Sequence, residues 1–307
     1  MDNLIFLAAL LSFVFGWNNS AILIGNIRAA GSISYRSSSF LASIGLVAGV
    51  LLEGGKMSNS LTGLTTVYVP NGIVGVTLGV SLAVALLLSL LGLPISFSIV
   101  IVGSFVGSVL PYTYHLDSGQ LTEIVAFWVI APLLSALISF LIYNSVKKLV
   151  SHLGLVEVDM LNRAGIVVAG LSASYSLGAN NIGLIEGTIS QNYPAITAIL
   201  LFSAVIGTVA MGGGNVSGSV GDRLTSLSPQ GVLSTFIASS IAVWIGTQFA
   251  LPISISQCLL GGMFGVAFTR KLTVVNRKLL YETVLLWVIA PLICFGIAYI
   301  LSIFLGL

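Results

Sequence analysis

Two adjacent asparagines inside an otherwise apolar stretch occur twice in the chain, as Gly16-Trp17-Asn18-Asn19 and Gly178-Ala179-Asn180-Asn181. Each asparagine side chain offers two N–H donors and a carbonyl acceptor. A pair can donate to the oxygens of an anion, or turn its carbonyl oxygens toward a cation such as Na⁺. A second duplicated element is Leu93-Pro94-Ile95-Ser96-Phe97-Ser98, repeated as Leu251-Pro252-Ile253-Ser254-Ile255-Ser256. Its proline restrains the start of a segment, and its two serines place hydroxyls beside backbone amides left unpaired there. That combination suits phosphate-like groups. The candidate ligand-binding residues are therefore Asn18, Asn19, Ser96, Ser98, Asn180, Asn181, Ser254 and Ser256, with Asn19 and Asn181 also candidates for a coupling cation.

Glu186 lies five residues beyond Asn181, where the first copy has Ile24. A carboxylate in a membrane segment is a functional candidate by default, here as a proton or Na⁺ site. Gln191, Asn192 and Pro194 nearby leave an interfacial position as the alternative, and Glu53 carries the same two readings. Glu123 and Glu282 open matching helices, where an acid complements the N-terminal dipole. His115 and His152 fall in aqueous loops, and Cys258 and Cys294 in apolar segments read as core residues. No Ser/His/Asp, Cys/His or metal-spaced cluster is present, so the sequence shows no enzyme constellation and implies no cofactor beyond Na⁺ or H⁺ as coupling ion.

These residues need a scaffold, and composition decides its class. Hydrophobic residues make up 57% of the 307 and charged ones 7%, against roughly 25% charged in a soluble domain. Such a chain cannot cover a globule with polar surface; it is an all-α polytopic membrane protein with the lipid bilayer as its partner. A net charge of +2 without a basic aromatic cluster excludes nucleic acid. The N-terminus lacks the basic stretch of a cleaved signal, so residue 1 is read as mature.

The duplications keep register. The asparagine pairs are offset by 162 residues (16 to 178), the Pro-Ile-Ser elements by 158 (93 to 251), and Glu123 to Pro132 matches Glu282 to Pro291 at 159. The stretch from Glu53 to Gly63 is too polar to face lipid, and its part from Glu53 to Ser60 is answered by Met211 to Ser219. Three matches in one order define two structural units. They are residues 1–146 and 163–307, joined by a charged connector over 147–162. In the first half, spans are expected over 4–28, 39–53, 72–92, to about 110, and 123–143, with helix breaks at the asparagine pairs near the midplane.

Charge fixes the orientation. With five crossings per half and the N-terminus outside, Arg28, Arg36, Lys147, Lys148, Arg163, Arg223, Arg270, Lys271, Arg277 and Lys278 all fall inside, leaving only Lys56 outside. Four crossings per half split the same residues six to five, which is no bias. The expectation is two inverted-topology repeats of about five transmembrane spans each, in the cell membrane, with both termini outside. Inverted repeats with interrupted helices are a common architecture of secondary transporters, whose sites lie near the midplane.

The chain resembles the PiT family of inorganic phosphate transporters, which also contains sulfate-permease-like members. Gly16-Trp17-Asn18-Asn19-Ser20-Ala21 and Gly178-Ala179-Asn180-Asn181-Ile182-Gly183 look like the two copies of its GANDVAN-type motif. Pro94-Ile95-Ser96-Phe97-Ser98 and Pro252-Ile253-Ser254-Ile255-Ser256 resemble its PVSTT-type motif. The resemblance implies that the first asparagine of each pair and the serines line a site for phosphate and coupling Na⁺ or H⁺. Departures are specific: Asn19 and Asn181 replace the family aspartates, Ile22 and Leu184 replace its later asparagine, and Phe97 and Ile255 its first threonine. Losing two carboxylates weakens cation binding and relieves repulsion of a dianion; Glu186 is the candidate replacement.

The expected function is secondary active transport of a small inorganic oxyanion, phosphate first and sulfate or another oxyanion second, by alternating access with Na⁺ or H⁺ coupling. Uniport stays open, as does a homo-oligomer. The rival from another class is a membrane sensor or subunit that transports nothing.

Overall fold

A computed structural model of the chain describes residues 2–29, 34–65, 69–93, 96–112, 116–189, 194–211, 227–270 and 277–307. The first half holds α1 (Asp2–Ala29), α2 (Tyr35–Glu53), α3 (Asn71–Leu90), α4 (Phe97–Val109) and α5 (Ser118–Val150). The second holds α6 (Leu155–Leu177), continued by a π-helical turn (Gly178–Ile182) into α7 (Gly183–Thr188). It goes on through α8 (Pro194–Met211), α9 (Pro229–Gln248), α10 (Ile255–Arg270) and α11 (Arg277–Leu305). Among the described residues, six helices are long and apolar enough to cross a membrane.

Helix packing exchanges partners between the halves. Against α6, Gly45 of α2 meets Leu171 and Gly49 meets Tyr175; against α1, Ser203 of α8 bonds the Ala9 carbonyl and Gly207 meets Phe13. In the same way Gly103 and Gly107 of α4 rest on Pro291 and Phe295 of α11, while Gly261 and Gly265 of α10 rest on Pro132 and Ala136 of α5. Residue numbers rise together in all four contacts, so each pair runs parallel. Ile27 and Leu41 both border Gly170, which shows α2 doubling back along α1. Helix α6 therefore runs against its counterpart α1. Lipid supplies no hydrophobic drive between helices, so glycines that let backbones touch carry this association. A Cβ at Gly107 would stand 2.2 Å from the Phe295 carbonyl oxygen, whereas one at Gly79 would meet nothing within 4 Å. Gly107→Ala is expected to destabilise the protein by about 2 kcal/mol and Gly79→Ala to be neutral or mildly stabilising, as read by thermal unfolding in detergent.

Several element boundaries differ from those expected. No break occurs at Asn18-Asn19, because α1 continues through it; only the second copy departs from α geometry, as the π turn. Helix α5 begins at Ser118, where the Asp117 carboxylate accepts from the Gly119 and Gln120 amides at 2.8 and 3.0 Å. Glu123 thus sits beyond the first turn, as does Glu282 of α11, so neither is a helix-opening acid. The connector expected over 147–162 is largely helical, with only residues 151–154 between α5 and α6.

Helix α4 has 13 residues, about 20 Å of helix, and cannot by itself cross a core of about 30 Å. It starts at the depth of Phe15, whose ring meets Phe97 edge-on at 5.1 Å, and runs back along α3, with Thr77 and Ser108 hydroxyls bonded at 2.8 Å. The α3–α4 pair thus forms a hairpin that turns inside the bundle. Its turn uses Gly92 at φ 67°; the second copy puts Ala250 there at φ 55°, a left-handed conformation that costs an alanine roughly 1 kcal/mol. Because α4 runs back along α3, the two are not the successive separate crossings expected of them. Both chain ends lie together, with Asn3, Leu4, Gly72, Leu305 and Leu307 around one cavity.

Candidate anion site

The tips of the two hairpins meet the two asparagine pairs. Asn180 is fully buried and acts as a latch: its Nδ2 donates to the Leu251 carbonyl and Thr247 hydroxyl, both at 3.0 Å, and its Oδ1 accepts the Ile253 amide at 3.0 Å. Asn18 makes the corresponding contact in the first half, donating to the Ser89 hydroxyl at 3.2 Å; Ser89 and Thr247 are repeat equivalents. Pro94 and Ile95, the counterparts of Pro252 and Ile253, lie outside the described residues.

The second asparagines look across to the other half. Ser98 at the start of α4 donates to Asn181 Oδ1 at 3.0 Å, and Ser256 at the start of α10 donates to Asn19 Oδ1 at 3.3 Å. The Ser98 hydroxyl also lies 2.9 Å from the Ile253 carbonyl oxygen, which joins the two hairpin tips. All four residues are buried, as are Ser96 and Ser254. The structure therefore brings all eight candidate ligand residues to the hairpin tips and the two central helices. It divides them by geometry: Asn18 and Asn180 hold hairpin elements, while Asn19, Asn181, Ser98 and Ser256 bridge the halves.

Chemically the site is rich in donors. Helices α4 and α10 both present their N-termini here, where backbone N–H groups lack intrahelical partners and the helix dipole is positive. Ser96 leaves α4 without a side-chain cap, and its own hydroxyl is unpartnered among the described residues, as is Asn181 Nδ2. At α10 the Ser254 hydroxyl accepts the Gln257 amide at 3.3 Å. With asparagine at 19 and 181, the cross-half bonds contain no carboxylate. An uncapped N-terminus at α4, a second helix N-terminus at α10, hydroxyls and carboxamides around a buried point favour an oxyanion. The site residues are buried, and the two described cavities, of about 410 and 500 Å³, are lined by other residues.

Glu186 and Glu53 take different surroundings. Glu186 is buried on α7 and accepts a hydrogen bond from Thr197 of α8; among the described residues no cation pairs with it. Glu53 is accounted for by an ion pair with Lys56 at 2.9 Å and by bonds from Gln248 and Trp244 at 3.2 and 3.4 Å, which tie the end of α2 to the end of α9. The Glu53–Gly63 stretch folds into two short 3₁₀ turns, the first of them packed on the π turn and α7, as its polarity required. Its counterpart at 212–219 lies outside the described residues.

Two segments of the chain, residues 15–157 and 154–298, each match the family model described as the phosphate transporter family. The chain belongs to the phosphate transporter family. A Methanocaldococcus jannaschii protein, provisionally named a phosphate permease, is 26% identical to this family member over 302 residues, covering 95% of this chain and 93% of that protein. A Bacillus subtilis protein, provisionally named a low-affinity inorganic phosphate transporter, is 23% identical over 317 residues, with 94% of each chain covered. The solved structure of a sodium-dependent phosphate transporter shares its fold at a TM-score of 0.84 and 18% identity, covering 100% of this chain and 99% of the other. Within this phosphate-transporter-family chain, one buried polar residue at the hairpin tips is absent from the motif-based set. Gln257 follows Ser256, is 3% exposed, and has an Oε1 without a partner among the described residues. Its sequence signal is asymmetry, since the equivalent position in the first half is Ile99.

Proposed function

We propose that the chain is a secondary active transporter that carries phosphate across the membrane by alternating access between its halves, at a site formed by Asn19, Asn181, Ser98 and Ser256 with Ser96 and Ser254 beside them. The observation that carries this reading is the exchanged pair of bonds, Ser98 to Asn181 and Ser256 to Asn19. Each ties the hairpin of one half to the central helix of the other. An oxyanion competing for those hydroxyls and amides acts on both halves at once, and because these side chains are buried, its release requires hairpin and central helix to part. Phosphate as cargo is supported by family membership and by the names its relatives carry. Labelled phosphate entering proteoliposomes under an imposed Na⁺ or pH gradient should accumulate saturably. Absence of any uptake would remove the reading.

Coupling is assigned to Glu186, with Na⁺ or H⁺ as the ion. A buried carboxylate held by one hydroxyl needs a proton or a cation to be stable inside a membrane, and its position beyond the π turn links it to Asn180-Asn181. Glu186→Gln is expected to cut gradient-driven accumulation at least tenfold while exchange of phosphate at equilibrium persists. Accumulation with unchanged pH and Na⁺ dependence excludes Glu186. Both termini are assigned to the outer side of the cell membrane from the distribution of Lys and Arg, which labelling of single cysteines at residues 2 and 307 checks.

A further inference from the structure

We infer that Gln257 reads the proton on the bound oxyanion, so that the site selects oxyanions carrying a hydroxyl at neutral pH, phosphate and arsenate, over those carrying none, such as sulfate. The inference rests on the transporter reading above and names what its site distinguishes. Around the hairpin tips the groups without a partner among the described residues are mostly donors: Asn181 Nδ2, the Ser96 hydroxyl, and the first-turn amides of α4. Donors alone hold sulfate as well as phosphate. An acceptor that can bond only to a P–OH group breaks that equivalence, because sulfate would leave it buried and unpaired.

Gln257 fits the requirement. It is the third residue of α10, its amide bonds Ser254, and its neighbour Ser256 bonds Asn19. Side chains in a helix lean toward its N-terminus, which is where the hairpin tips and the asparagine pairs converge. Its side chain is 3% exposed, yet Oε1 has no partner among the described residues. A buried amide oxygen without a bond is costly and rare; a ligand hydroxyl supplies the bond. The other unpartnered amide oxygen here, Asn18 Oδ1, has a counterpart that accepts a hairpin backbone amide, whereas Gln257 has Ile99 as its counterpart. Selection therefore resides in the second half alone.

The test is competition by inorganic phosphate and by sulfate against labelled phosphate exchange in proteoliposomes, with wild type and Gln257→Met, which keeps the length of the side chain. Wild type should prefer phosphate by roughly 100-fold or more, and Gln257→Met should narrow that gap at least tenfold by weakening phosphate. The variant should also unfold at the same or a higher temperature without anion, because it removes a buried amide oxygen that has no partner among the described residues. An unchanged phosphate-to-sulfate ratio overturns the inference, as does a lowered anion-free unfolding temperature with selectivity intact. A changed Na⁺ dependence at constant selectivity also overturns it, since the amide would then serve a cation. Wild type that exchanges phosphate without discrimination sinks this inference alone; wild type that exchanges neither anion sinks the transporter reading beneath it.

Discussion

Replacing Asn180 by alanine is expected to abolish phosphate exchange and lower the unfolding midpoint in the same variant. The Asn180 carboxamide is the contact that fixes the second hairpin tip to α6, through the Ile253 amide and the Leu251 carbonyl, each at 3.0 Å. Its removal leaves an N–H and a C=O buried without partners in a region that water does not reach. Each such group costs about 1–3 kcal/mol, so a loss of roughly 3 kcal/mol is expected, and the tip is no longer held where Ser254 and Ser256 can meet a ligand. Fluorescence-monitored thermal unfolding in detergent and exchange in liposomes check the two halves of the expectation. An Asn180→Ala protein with wild-type stability would show that the hairpin is held by something else.

The neighbouring residue should behave differently. Asn181→Leu is expected to reduce exchange by about 100-fold or more, as for loss of a positioned donor, while shifting the midpoint only slightly. Asn181 has one described bond, from the Ser98 hydroxyl at 3.0 Å, and Ser98 keeps a second partner in the Ile253 carbonyl at 2.9 Å. Its Nδ2 makes no bond among the described residues, so leucine forfeits little that stabilises the fold. What it removes is a donor offered to the ligand and the cross-half contact that senses it. Asn19→Leu, on the mirrored position, should show the same separation of activity from stability. If both variants exchange normally, the bridging asparagines are structural.

Much of this was legible in the sequence because duplication at constant offset leaves a pattern that single motifs do not. The pairs Asn18-Asn19 and Asn180-Asn181, and the serines at 96, 98, 254 and 256, are visible as repeats long before their contacts are known. The partner exchange of Gly107 with Phe295 and Gly265 with Ala136 agrees with the two related halves that the duplication defines. The unbroken α1 was not legible. Two asparagines weaken an isolated helix, but Asn18 bonds Ser89 and Asn19 bonds the Phe15 carbonyl one turn back, at 3.5 Å, so tertiary and local contacts override propensity. Nor could the sequence divide labour within a pair. Successive residues on a helix point about 100° apart, and only the position of the hairpins tells that 18 and 180 face the hairpin of their own half while 19 and 181 face the opposite half. Asp117 rather than Glu123 starts α5 because a carboxylate at the cap bonds two amides directly.

The measurement that bears most directly on the site is counterflow of labelled phosphate in liposomes, comparing wild type, Asn181→Leu and Asn180→Ala. Saturable exchange by wild type is expected, lost in both variants, with unfolding temperature preserved in Asn181→Leu alone. Wild-type protein that is folded yet exchanges no phosphate, or an Asn181→Leu variant that exchanges like wild type, would contradict an oxyanion site at the meeting of the two hairpins and would favour a membrane subunit that transports nothing.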